Sequence, residues 1–117
     1  ATPRRYDSDY DLTQFGFSGG ELCVPGKHDT NAKSVRLRIS ASDVSICLTR
    51  PDKTTILNIL PAKVDELRDV GPSSALVRLA MGDHYLLARI TRRSATGLNL
   101  KKGDSVFAQV KSVTVKR

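Results

Sequence analysis

Apolar and polar residues alternate along most of this chain with a period of two. Val35, Leu37 and Ile39 are separated by Arg36 and Arg38, and Val44, Ile46 and Leu48 repeat the spacing. Ala75, Val77 and Leu79 alternate, then Leu86, Ala88 and Ile90, then Val106, Ala108 and Val110. A strand sends successive side chains to opposite faces, so each run offers one face to a core and one to water. Turn-forming pairs separate the runs: Gly19-Gly20, Pro25-Gly26, Pro51-Asp52, Gly71-Pro72, Gly82-Asp83 and Gly103-Asp104. Short strands at this regular spacing predict an all-β fold, a small antiparallel β-barrel rather than a parallel sheet. Only Arg92 to Leu98 reads as a helix, and it is short.

Two phase slips interrupt the alternation. Val106, Ala108 and Val110 give way to Val113 and Val115. A one-residue slip turns every later side chain to the other face, so the pattern predicts a bulge or bend at Lys111-Ser112. A second slip, from Ala62 and Val64 to Leu67, predicts another near Asp65-Glu66. Both read equally well as barrel corners without a ligand. The stretch Arg38-Ile39-Ser40-Ala41-Ser42-Asp43 also echoes Arg89-Ile90-Thr91-Arg92-Arg93-Ser94, each a strand end entering a turn. The echo fits two strand-rich halves closing one barrel. The expected organisation is a flexible N-terminal segment over 1–11 and a single domain over 12–117, with halves at about 12–50 and 54–117.

Composition narrows the function classes. A chain of 117 residues makes one domain with a modest core. No apolar run approaches the roughly 20 residues of a membrane helix. The start, Ala1-Thr-Pro-Arg-Arg5, carries no Met and no apolar leader, which points to a piece of a longer or processed protein. A net charge of +7 favours an anionic partner. The cations are scattered over Arg4-Arg5, Arg36 and Arg38, Arg92-Arg93, Lys101-Lys102 and Lys116-Arg117, as on a solvated surface rather than a nucleic-acid groove. Aromatics are 5% of residues, too few for an evident base-stacking platform. Cys23 and Cys47 lie in separate strand-like runs without CxxC spacing. Reduced, partly buried thiols of a cytosolic protein are expected, with a disulfide left open. His28, in a Gly-Lys-His-Asp loop, and His84, in a hairpin, lack neighbours at metal-ligand spacing and read as surface residues. The chain has no GxxxxGK[ST] loop and no serine with a base at a nucleophile's spacing, so it is not expected to be an enzyme by itself.

The candidate chemistry lies in the last third. Thr91, three residues before Ser94, is first a helix N-cap whose oxygen accepts the Ser94 N–H. The same turn offers free N–H groups and hydroxyls, and Lys111-Ser112 adds an ammonium and a hydroxyl late in the final strand. Such donors suit a small oxyanion.

In this order and spacing the motifs resemble the Mop-like, or TOBE, segment of molybdate-binding proteins. From roughly Leu12 to Val115, including Val35-Arg-Leu-Arg-Ile-Ser-Ala-Ser-Asp-Val44, the chain is similar to the C-terminal domain of bacterial molybdate-transport ATPases. The resemblance implies an OB-like barrel that binds molybdate or tungstate through Thr91, Ser94, Lys111 and Ser112. It implies a third segment, Thr55-Ile56-Leu57-Asn58, with Thr55 and Asn58 as ligands. Leu57 stands where the family has an arginine, which removes one cation. The resemblance further implies a homodimer formed through this domain, and an ATPase domain and membrane permease subunits as partners. The expected place is the cytoplasmic face of the plasma membrane, without insertion and without nucleic acid. Two alternatives stand beside it: a structural dimerisation module of the same transporter, for which Leu57 speaks, and an OB-like nucleic-acid-binding barrel.

Overall fold

The computed structural model describes residues 1–116. Among these residues are ten strands and one short helix: β1 (Thr2–Asp7), β2 (Leu12–Phe17), β3 (Gly20–Pro25), β4 (Arg36–Arg38), β5 (Val44–Cys47), β6 (Asn58–Asp69), β7 (Ser74–Met81), β8 (His84–Thr91), α1 (Arg92–Gly97), β9 (Ser105–Val110) and β10 (Thr114–Lys116). The main sheet is antiparallel and runs β5-β9-β6-β7-β8. It curls into a half-barrel around one core. Ala75, Val77, Leu79 and Met81 of β7 point inward and are at most 5% exposed. Val64 of β6, Ala88 of β8 and Val106, Ala108 and Val110 of β9 complete the same face. Full burial of each such Val or Leu stabilises by about 1.5–3 kcal/mol, so the inward phase of these strands fixes the register. The curl carries β5 toward β8, and the single 3-10 turn Ala41–Asp43 packs against β8, yet no ladder joins these edges.

The slip after Val64 is a bulge. Val64 pairs with Leu79 and Glu66 with Arg78, leaving Asp65 as the extra residue. Its carboxylate accepts from Arg78 Nε at 2.7 Å, and Arg78 Nη2 lies 2.6 Å from the same oxygen. That hydrogen bond raises the Arg78 pKa above its ordinary value. The slip after Val110 is larger than a bulge. Residues 111–113 leave the main sheet, and β10 pairs with β4 instead. The two halves are therefore interleaved: β5 of the first lies in the main sheet beside β9, and β10 of the second pairs back with β4.

The N-terminal residues differ from the flexible segment expected over 1–11. Thr2–Asp7 form β1, paired antiparallel with β2 in a meander completed by β3. Pro3 is buried, Tyr6 O–H donates to Asp11 Oδ1 at 2.6 Å, and that bond raises the phenol's pKa. Alternation is weak in a strand so rich in polar residues, which is why the pattern misses it. The meander docks on the main sheet at both ends. At one end Asp83 N–H donates to Ser18 Oγ at 2.9 Å. Gly82, with φ +57°, makes the approach possible, because a Cβ there would lie 2.6 Å from the Ser18 carbonyl carbon. At the other end stands Asn58.

The echo between the two hydroxyl-bearing turns has a structural counterpart. Ser40 caps the 3-10 turn, its oxygen accepting from Ser42 N–H at 3.4 Å, and Thr91 caps α1, accepting from Ser94 N–H at 3.0 Å. Both turns follow a strand-like run.

Candidate functional site

Antiparallel register assembles one end of the sheet. Asn58 opens β6 directly opposite Val110, the last residue of β9. Thr55 to Leu57 precede the one and Lys111-Ser112 follow the other, so the two segments meet although they are remote in sequence. With the end of β3 and the loop after it they bound a cavity of about 610 Å³. Its polar lining comprises His28, Thr55, Asn58, Lys111, Ser112 and Thr114, and no carboxylate lines it among the described residues. Thr55, Lys111 and Ser112 are exposed. Lys111 is fixed at the strand exit by its backbone N–H, which donates to Asp43 O at 2.8 Å.

Asn58 is placed differently from a free ligand. It is 8% exposed, and both polar atoms of its amide have partners. Cys23 N–H donates to Asn58 Oδ1 at 2.7 Å, and Asn58 Nδ2 donates to Cys23 O at 2.9 Å. The side chain thus completes a backbone pairing between β3 and β6, which accounts for the residue without a ligand. Leu57 lines the same cavity and is 66% exposed. No cation stands at that position.

Thr91 and Ser94 lie elsewhere. Thr91 ends β8 opposite Ser74, at the level of Asp69, the far end of the 12-residue β6 from Asn58. That is roughly 36 Å of strand path at about 3.3 Å per residue. Thr91 Oγ1 donates to Ser94 Oγ at 2.8 Å as well as accepting its N–H. The Ser94 hydroxyl proton has no partner among the described residues, and both side chains are exposed. The structure therefore brings together Thr55, Asn58, Lys111 and Ser112, and leaves Thr91 and Ser94 at the opposite end of the same chain.

His28 corrects the surface-loop reading. It is half-buried and lines the cavity. The loop after β3 is held by Thr13, a fully buried threonine whose hydroxyl donates to Gly26 O at 2.7 Å and accepts from His28 N–H at 3.1 Å. No spacing rule links Thr13, His28 and Lys111, since three separate elements carry them. His84 instead packs edge-on against Phe17, with ring centroids 5.4 Å apart. Cys23 and Cys47 are free and half-buried.

Comparison with known proteins bears on the whole chain. It is 45% identical over 116 residues to the molybdenum import ATP-binding protein ModC of Hahella chejuensis, an alignment covering 98% of this chain and 32% of that protein. It is 45% identical over 112 residues to the ModC protein of Aromatoleum aromaticum, covering 96% and 30% respectively. The chain thus spans about a third of the length of these relatives. Among solved structures, the cytoplasmic molybdate-binding protein ModG in a form with molybdate bound matches with a TM-score of 0.73. That match covers 89% of this chain and 82% of the other at 21% identity, a likeness of fold. The TOBE-domain family profile matches residues 54–116, from the segment before β6 through β10. More than half of the chain, including Thr55, Asn58, Thr91, Ser94, Lys111 and Ser112, lies inside that match, and the chain belongs to the TOBE-domain family.

Proposed function

We propose that this chain is the regulatory, oxyanion-binding part of the ATP-hydrolysing subunit of a molybdate importer, working at the cytoplasmic face of the membrane beside its permease partners. The observation that carries the reading is the cavity at the β6–β9 end, where Lys111 and neutral hydroxyl donors converge and, among the described residues, no carboxylate competes. A tetrahedral dianion such as molybdate or tungstate is recognised by charge-assisted and neutral hydrogen bonds of this kind. Thr91 and Ser94 offer a second set of hydroxyls that one chain cannot bring to the first. Two copies related by a twofold axis would place the Thr91–Ser94 end of one against the Lys111–Ser112 end of the other. The homodimer is then part of the site. An anion shared by two copies favours the paired arrangement over the separated one, and it biases the attached ATPase domains by that difference in affinity.

Titration of the chain with molybdate, tungstate and sulfate tests the reading. Molybdate and tungstate are expected to raise the thermal midpoint by mass action, with sulfate weaker because the anion is smaller. Lys111→Ala is expected to lose about 1.5–3 kcal/mol of binding, one to two decades in affinity, as the charge-assisted contact goes. A wild-type midpoint that no oxyanion moves at millimolar concentration favours the second reading, a structural dimerisation module. Leu57 and the fully partnered Asn58 are the observations that speak for that alternative.

A further inference from the structure

Among the described residues, two side chains lining the cavity can carry positive charge, and only Lys111 carries it permanently. His28 enters from the loop after β3 and is held by three contacts. Its backbone N–H donates to Thr13 Oγ1 at 3.1 Å, its Nε2 lies 3.1 Å from Pro25 O, and its ring packs on Phe15 with centroids 5.9 Å apart. A carbonyl only accepts, so Nε2 holds the proton of the neutral ring and a second proton goes to Nδ1. The other titratable side chains lining the cavity among the described residues are Cys23 of β3 and Lys111 after β9. Lys27 and Asp29 flank His28 in its loop, outside the lining. Leu57, at the same cavity, takes the place of the cation that the family pattern carries.

We infer that His28, when protonated, adds a positive charge to that of Lys111 in this cavity and strengthens oxyanion capture at Lys111 and Ser112 as the pH falls. The inference rests on the oxyanion reading above and adds a residue and a pH dependence to it. Histidine is the side chain whose charge ordinarily changes between about pH 5 and 8. Molybdate at sub-millimolar concentration stays a dianion over the upper part of that range, so the protein sets the dependence there. By linkage, a dianion bound beside the ring also draws a proton onto His28.

The test is molybdate affinity by calorimetry at about pH 6 and about pH 8, where an ordinary imidazole is mostly protonated and mostly neutral respectively. The wild type is expected to bind about five-fold or more tightly at the lower pH, the effect of one added cation near a dianion. His28→Gln is expected to bind at both pH values with the weaker affinity, and His28→Arg at both with the stronger. Lys111→Ala binds weakly at both. Unliganded thermal midpoints check that each variant folds, and a merely structural His28 would shift those midpoints without flattening the pH profile. Wild-type affinity that is equal at the two pH values, or a His28→Gln variant that keeps the pH dependence, overturns the role of His28 and leaves the oxyanion reading standing. Wild-type protein that binds molybdate at neither pH overturns both.

Discussion

Thr13 and Asn58 are the two buried polar side chains among the described residues: Asn58 joins β3 to β6, which no backbone ladder pairs, and Thr13 of β2 holds the loop that follows β3. Thr13 bonds Gly26 and His28, and Asn58 bonds Cys23, so the cavity wall formed by the end of β3 depends on both. Thr13→Val keeps the shape and removes the hydroxyl, leaving Gly26 O and His28 N–H without that partner. The expected loss of stability is about 1–3 kcal/mol by urea unfolding, with Thr13→Ser much milder. An unchanged midpoint for Thr13→Val would mean that water replaces the hydroxyl and that the loop is not held as described. Thr91 and Ser94 are legible in the sequence because a cap is a local motif. Thr13 and His28 are not, since their partners come from other strands and nothing in local spacing marks them.

At the scale of elements, the strands of the main sheet were legible from alternation alone, because one face of each packs on the core and the other is wet. Both slips were legible as positions but not as structures. Asp65 became a bulge because β7 continues beside it, whereas the chain after Val110 changes sheets because β4 offers a new partner. The polar strand β1 was invisible for want of an apolar face. α1 is six residues long with no buried residue, so its cap matters more than its packing. Thr91→Ala is expected to cost about 1 kcal/mol of stability without ligand, and Thr91→Ser to recover most of it. Thermal unfolding of both variants checks this. Equal loss in the Ala and Ser variants would place the role of Thr91 in its methyl group rather than its hydroxyl.

The molecule as a whole interleaves its halves: β5 of the first pairs with β9 of the second, and β10 of the second pairs with β4 of the first. The curl brings Lys111 and Ser112 to one end, and β8 carries Thr91 and α1 to the other. Sequence order could list these residues as one constellation but could not show that a single copy separates them, because that follows from strand direction. No helix among the described residues is long and apolar enough to cross a membrane. In the proposed dimer each of two equivalent oxyanion sites takes Lys111 and Ser112 from one copy and Thr91 and Ser94 from the other. Mixing two impaired chains tests it directly: Lys111→Ala with the double variant Thr91→Ala, Ser94→Ala. Each alone is expected to bind molybdate poorly. Co-refolded in equal amounts, they form mixed dimers in which one of the two sites has every wild-type group, restoring about a quarter of wild-type binding capacity for a twofold-symmetric pair. A mixture that binds no more molybdate than the two variants measured separately would contradict a site shared between copies.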